Sequence, residues 1–593
     1  MKKIISILLI VSSLLPLVGC IKPNNGNPVE MGDNKVHLVV LAGQSGARGK
    51  ALVSDLSEEN MDINVDVDIL ADGLPMGELG NIPGIDEDVY FEPLEPGYGD
   101  YPSEFGPEVG MGQTLASAYP KFDDDYKTVI VKYTASGSTF TDHWYSSSLI
   151  ADDEAAGYLN LDQVAVTEKG DETGPLTKNL YDLVEKAIFE LTELGYEVVI
   201  DGMAFVHGEQ DAKFDENMEI YERALCCFIE DFRAYFGDED MPVVLTEALT
   251  NSAKHVNSLK SIQSKISYGN NISMVDTSDL YTNPFEPWHF GAESNIILGN
   301  RIAADLLAFN DTREIKSIDE SIIDVPYGTI VDLPGYVMAD FYNFYSGYVK
   351  VQCYSDYDCF KLGLQEVEYQ VRTSKGLFVF KRTVNVRDDI AWVDGLATEY
   401  SVTKENLLPN SLGELYIIKG ESGLYISARI YDEEIWTDGE NWHRGDMGQK
   451  GNNDDFIIYL TGSDLASRAT ICLSAANLLR VYGKGLSLNS DDIKLEYGNM
   501  VTNKKLSDYA HHVSIGGYVN CQESSDATYE LYISYKDLGI QNPDDIKLCF
   551  NYNNVSMVNG TKVSVDNYLV KGEVTDNAED NLDSYFSINE LIK

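Results

Sequence analysis

Ser45 stands at the end of an apolar run, Val39-Val40-Leu41-Ala42-Gly43-Gln44, and is followed by Gly46-Ala47-Arg48-Gly49. A serine hydroxyl is a weak nucleophile at neutral pH. It reacts only where a tight turn exposes it, a base stands close, and donors await the oxyanion it creates. Glu286 and His289 share one short stretch, Glu286-Pro287-Trp288-His289, a spacing at which a carboxylate can fix the imidazole tautomer while the other ring nitrogen faces a serine. Each feature alone is weak: Gly-x-Ser turns are common, and a Glu and a His ahead of a helix also serve as a cap and a satisfied buried ring.

Positioning these groups requires a scaffold. Val36 to Ala42, Thr128 to Tyr133, Glu197 to Val206, Pro242 to Thr246 and Ile272 to Val275 read as strands. Between them lie helical patterns at Gly110 to Tyr119, Leu176 to Leu194, Asn217 to Tyr235, Ala253 to Ile266 and Ala292 to Phe309. Strands alternating with helices of this length predict a parallel sheet covered on both faces, with the ligand site beyond the carboxyl ends of the strands. Ser45, Gly137 and His207 all follow closely on a strand, and so meet at that edge. Asp55 to Ser103 reads as a long acidic connection that walls the cleft.

After about Asn310 the helical period gives way to alternating runs broken by Gly, Asn and Asp, which predicts β-sandwich domains. At 593 residues the chain needs more than one core. Its net charge of −52 is spread along the whole length and repels phosphate backbones and anionic lipid, which excludes nucleic acid as a partner class and favours a neutral polysaccharide, or an acidic one only with bridging cations.

The first residues, two lysines, an apolar run from Ile4 to Leu17 and then Leu17-Val18-Gly19-Cys20, follow the order of a bacterial lipoprotein signal. The run is too short for a permanent span. Lipidation at Cys20 would leave Lys22 to Asn34 as a tether, so the expected address is the cell surface or the periplasmic face of a bacterial membrane. Of the eight cysteines, those other than Cys20 are odd in number. Cys226 and Cys227 read as small core residues, and Cys353 and Cys359 as a candidate bridge.

Five ordered blocks in residues 36 to 309 resemble the SGNH hydrolases grouped as sialate O-acetylesterases and carbohydrate esterase family six acetylxylan esterases. They are Gly43-Gln44-Ser45, with Gly46 where the family has Asn; Phe105-Gly106-Pro107-Glu108; Val131-Lys132-Tyr133 to Ser136-Gly137 and Trp144; Phe205-Val206-His207-Gly208-Glu209-Gln210-Asp211, with His207 where the family has Gln; and Glu286 to His289, followed by Phe290-Gly291-Ala292-Glu293. The resemblance implies an α/β/α, flavodoxin-like hydrolase domain and a serine carbohydrate acetylesterase with Ser45 as nucleophile, His289 as acid/base and Glu286 orienting it. It implies an oxyanion hole built from the Ser45 and Gly137 N–H groups and the side chain of His207. Losing one such donor costs about 3 to 4 kcal/mol. Gln44, Arg48, Glu209 and Asp211 are expected to hold the loops, because buried charges normally pair. Asp142, His143 and Trp144 either line the pocket or serve the structure.

Residues 317–388 resemble a bacterial immunoglobulin-like module, and the segment 390–593 resembles carbohydrate-binding module family nine through Val393-Asp394-Gly395, the Gly423 to Asp432 run and the Asn453 to Leu460 run. The expected organisation is therefore a lipoprotein signal peptide (1–20), a tether (21–35), the hydrolase domain (36–310) and these two β modules. Trp436 and Trp442 flank a polar loop and are candidate glycan clamps, with Trp392 nearby; core packing is their other reading. The histidines are scattered without metal-ligand spacing, and no metal or cofactor is expected. Asn452 to Asp455 reads as a polar turn or a structural calcium loop. Two functions follow: a surface-anchored O-acetylesterase acting on an acetylated carbohydrate, or a non-catalytic glycan-binding lipoprotein with a degenerate hydrolase domain.

Overall fold

Alternation along one strand builds two cores. In Lys35–Gly43 (β1), Leu38, Val40 and Ala42 point to one side of a sheet while Val39 and Leu41 point to the other, and all are fully buried. The computed structural model describes residues 34–391 apart from 58–59, 61–65, 120–126, 250–253, 281, 284–285, 310, 332 and 344; beyond 391 it describes 400, 406–408, 413–431, 455–462, 468–474, 478–484, 495–498, 515–522, 526–535, 542–558, 561–571 and 581–592.

Asp68–Leu74 (β2), Thr128–Ala135 (β3), Glu197–Val206 (β4), Val243–Thr246 (β5) and Ile272–Val275 (β6) join β1 in a parallel sheet of order β6-β5-β4-β1-β3-β2, with Glu92–Pro93 added antiparallel at the β2 edge. The helices are Glu108–Ala118 (α1), Pro175–Glu193 (α2), Asp215–Phe236 (α3), Val256–Ile266 (α4) and Ala292–Ala308 (α5). Leu176, Leu180, Leu225 and Phe228 of α2 and α3 cover Leu38 and Val40, whereas Met111, Leu115, Leu298 and Ile302 of α1 and α5 cover Val39 and Leu41. Proline at the first position of α2 and Gly237, in the left-handed region at φ +78°, after α3 give these helices their start and stop.

The expected strands and helices fall where the periodicity puts them, but the stretch Asp55 to Ser103 is not all connection: β2 pairs in parallel with β3 from Asp68↔Val129 to Leu74↔Ala135. Asp68 and Asp72 interrupt its apolar residues, with Asp66 just before it, and mask it as a loop, a composition tolerated because this strand lies near the sheet edge. The chain leaves β1 toward the β3/β2 side and leaves β4 toward the β5/β6 side, so the crevice between the carboxyl ends of β1 and β4 is the switch point of the sheet.

Two small sheets follow, Ile315–Ile318 with Tyr336–Phe341 and Ser346–Lys350, and Ile323–Pro326 with Gly376–Arg387, Gly363–Thr373 and Gln352–Cys353, around Val325, Val337, Phe341, Val367 and Tyr369. This module is bolted to α1 and α5: Arg313 Nη1 donates to Ser117 Oγ at 2.9 Å, and Asp305 accepts from Tyr336 and Lys350, each at 2.8 Å. Cys353 and Cys359 do not form the expected bridge; both are free, with Cys353 Sγ donating to the Ser355 carbonyl instead. The described C-terminal strands form two further antiparallel sheets packed through Ile417, Ile426, Phe456, Ile458, Leu531 and Phe550. Cys20, Trp392, Trp436, Trp442 and Asn452 to Asp454 lie outside the described residues.

Candidate active site

Gly43 sets the nucleophile turn. It closes β1 at φ +137°, and a Cβ there would stand 2.1 Å from the Val206 carbonyl oxygen, so only glycine lets β1 and β4 run together at this point. Gln44 N–H donates to that same carbonyl at 3.0 Å, and one helical turn, Ser45–Arg48, begins immediately after it. Ser45 is nearly buried, 8% exposed, at the floor of a cleft enclosing about 550 Å³ of space open to solvent.

Gln44, Ser45, Gly46, Met76, Gly137, Glu209, Gln210, Lys213, Leu249, His289 and Phe290 line this cleft. Four distant stretches of chain thus bring Ser45, Gly137, Glu209 and His289 into one space. His289 is buried on the strand Glu286–Phe290, which pairs antiparallel with Thr282–Asn283, and Asn295 Nδ2 ties its end to α5 by donating to the Phe290 carbonyl at 3.2 Å. The backbone of Glu286 belongs to that strand; its side chain lies outside the described residues. Gly137 turns at φ +79° after β3, and a Cβ there would meet Met76 Sδ at 3.0 Å, so glycine keeps the turn open to the cleft. A Cβ on Gly46 would stand 3.0 Å from Val206 Cγ1, a tight approach to the end of that side chain.

His207 is placed elsewhere. It does not line the cleft but sits fully buried among Phe140, Trp144, Phe205 and Tyr221, with ring centroids 4.8 Å from Phe140 and 5.0 Å from Phe205. Among the described residues neither ring nitrogen is within good hydrogen-bonding geometry of a partner, and burial pushes its pKa down to about 3, so the ring is neutral. The expected oxyanion donor is therefore a core histidine, because the sheet turns this side chain toward α3 rather than over Ser45. Its Nε2 lies 3.8 Å from Asp211 Oδ2, itself fully buried with its carboxyl pushed well above the usual range by desolvation. Asp211 Oδ1 accepts from Phe140 N–H at 3.0 Å and so holds the loop after Gly137, as a loop-holding residue should. His143 and Trp144 are buried too, Trp144 donating to Ser138 Oγ at 2.8 Å, which makes them structural.

Behind the cleft runs a buried ionic chain. Lys132 Nζ donates to Glu108 Oε2 at 2.7 Å and to the carbonyls of Arg48 and Tyr98, each at 2.8 Å; burial, opposed by Glu108, lowers the lysine to about 8. Arg48 Nε lies 3.1 Å from Asp100, whose carboxylate also accepts from Lys50, from Ser136 Oγ at 2.7 Å and from Met76 N–H at 3.3 Å. Burial alone would raise the Asp100 pKa; the bonds from Lys50 and Ser136 hold it below the usual range. This network fastens the end of the nucleophile turn to β3 and to the connection before α1.

Glu209 is the residue whose place the sequence did not convey. Expected to hold a loop, it does so and also faces the cleft: Gln44 Nε2 donates to Glu209 Oε2 at 2.5 Å, and Gln44 Oε1 accepts from Gln210 N–H at 3.4 Å. Met76, Leu249 and Phe290, unmarked in the sequence, provide an apolar wall. Among the described residues no group of ligand-type side chains is arranged to hold a metal, and no helix is long and apolar enough to cross a membrane.

Residues 35–308 match the family model described as carbohydrate esterase, sialic acid-specific acetylesterase. A search of curated protein sequences returns no match. Among solved structures, similarity extends to NanS (14% identity over 46% of this chain and 98% of that one, TM-score 0.34) and to a carbohydrate acetylesterase from Xanthomonas citri (12%, 59% and 79%, TM-score 0.33). A carbohydrate-binding module of family 9 from Caldicellulosiruptor kristjanssonii, in complex with cellotriose, is also similar (12%, 34% and 93%, TM-score 0.22). The family match falls on the α/β domain.

Proposed function

We propose that the protein is a serine-dependent carbohydrate O-acetylesterase held at a bacterial membrane by a lipid on Cys20. One observation carries the reading: Ser45, Gly137 and His289, from three separate parts of the chain, line a single cleft at the switch point of a parallel sheet. Ser45 Oγ attacks the acetyl carbonyl carbon while its proton passes to His289. The oxyanion is received by the N–H groups of Ser45 and Gly137. The bond from the acyl carbon to the sugar oxygen breaks as His289 returns the proton to that oxygen. Water then attacks the acetyl-serine, gives its proton to His289, and releases acetate as Ser45 Oγ takes the proton back.

Met76, Leu249 and Phe290 suit the acetyl methyl, and the open side of the cleft leaves room for a sugar ring. The C-terminal sandwich fits a role in holding the polymer. The second reading, a glycan-binding lipoprotein without turnover, is favoured by one feature: with His207 in the core and glycine at position 46, neither position supplies a side-chain donor to the oxyanion. Acetate release from p-nitrophenyl acetate and acetylated glycans, with Ser45→Ala alongside, separates the two.

A further inference from the structure

Glu209 is the one carboxylate among the described residues lining the cleft, and His289 is the one imidazole. Its carboxylate is held by the hydrogen bond from Gln44 Nε2, the backbone N–H of Gln44 is in turn fixed to the Val206 carbonyl, and the residue is half-buried. A half-buried carboxylate held this firmly acts on whatever charge forms in the same cleft.

Resting on the serine-esterase reading, we infer that Glu209 is a positioning residue with two tasks: its hydrogen bond to Gln44 clamps the turn that carries Ser45, and its negative charge stabilises the imidazolium that His289 becomes when it takes the Ser45 proton. His289, from the strand before α5, and Lys213, from the turn before α3, both favour the ionised carboxylate and oppose the effect of burial, which raises its pKa. Tyr221 of α3 faces it as a neutral phenol whose hydroxyl donates to the His207 carbonyl at 3.1 Å, and Asp211 lies two residues on, turned toward Phe140. Lys213 also donates to Gln210 Oε1 at 2.7 Å, which keeps its charge at the rim.

The test uses the full chain and Glu209→Gln, whose amide oxygen still accepts from Gln44 and so keeps the clamp while removing the charge. The acid limb of the kcat/KM profile for p-nitrophenyl acetate moves down by about one pH unit, because the imidazolium loses its anion. With it kcat falls about tenfold, the equivalent of one such unit, while KM stays near its original value. Glu209→Asp keeps the charge and shows a smaller shift of the same sign; it carries the test alone if Glu209→Gln does not fold. Folding is checked by thermal melting. An acid limb unmoved in a folded Glu209→Gln protein, with kcat within twofold, overturns the inference and leaves a structural clamp only. Ser45→Ala is measured in parallel: activity that survives in it overturns the esterase reading itself, whereas activity lost there with an unmoved limb in Glu209→Gln sinks only the role of Glu209.

Discussion

Gln44 Nε2 and Glu209 Oε2, separated by 2.5 Å, join the turn after β1 to the turn after β4 across the switch point of the sheet. One hydrogen bond of this kind, strengthened by the carboxylate, fixes the approach of two loops that the sequence separates by 165 positions. The nucleophile turn is also held from its other end by the Lys132, Glu108, Arg48 and Asp100 chain, so Ser45 is clamped on both sides.

Gly43→Ala tests the first clamp. A methyl group 2.1 Å from the Val206 carbonyl has to push β1 from β4, and its backbone conformation adds about 1 to 2 kcal/mol of strain. The expected result is a lowered melting temperature together with a loss of esterase activity greater than the loss of folded protein. A variant with native stability and native turnover contradicts this account of the turn.

Lys132→Met tests the second. It leaves Glu108 buried without its cation, a change that costs about 3 to 5 kcal/mol in comparable sites. Urea unfolding followed by circular dichroism measures the loss. Lys132→Met with Glu108→Gln should recover part of it, since the orphaned charge is then gone.

His207→Phe tests the placement of that ring in the core. Because the folded protein depresses this histidine from 6.5 to about 3, the unfolded chain binds more protons between those values. The stability associated with the neutral ring is therefore present above about pH 6.5 and is lost as pH falls toward 3, by an amount on the order of 4 kcal/mol. His207→Phe should lose less stability over this window than the parent while keeping turnover within a few-fold at neutral pH. A hundredfold fall in kcat with intact folding would return His207 to the oxyanion hole.

Cys20→Ala addresses the address. If Cys20 carries the lipid, the parent sediments with membranes and is labelled by radioactive palmitate in a bacterial host, and the variant does neither. Labelling retained in Cys20→Ala contradicts the proposed anchor.

Much of this arrangement was legible beforehand. Strong period-2 and period-3.6 patterns placed five of the six parallel strands and the five long helices, because each of those segments buries one or two apolar faces. β2 was hidden by Asp68 and Asp72, which break its apolar run near the edge of the sheet. Ser45 and Gly137 meet in the cleft as their positions after strands imply, and His289 joins them from the separate strand Glu286–Phe290; His207, expected at the same edge, turns instead into the aromatic cluster around it, a direction that no local pattern encodes. Glu209 was read as a loop holder; that it also faces the base follows only from how two turns cross, which no local pattern encodes.

Release of acetate by the full chain and by Ser45→Ala, from p-nitrophenyl acetate and from a panel of acetylated polysaccharides and acetylated sialic acid, tests the central claim most directly. The account predicts release by the parent protein and none above background in the variant, with both proteins folded. Equal release by the two, or none by the parent from any substrate, would contradict it.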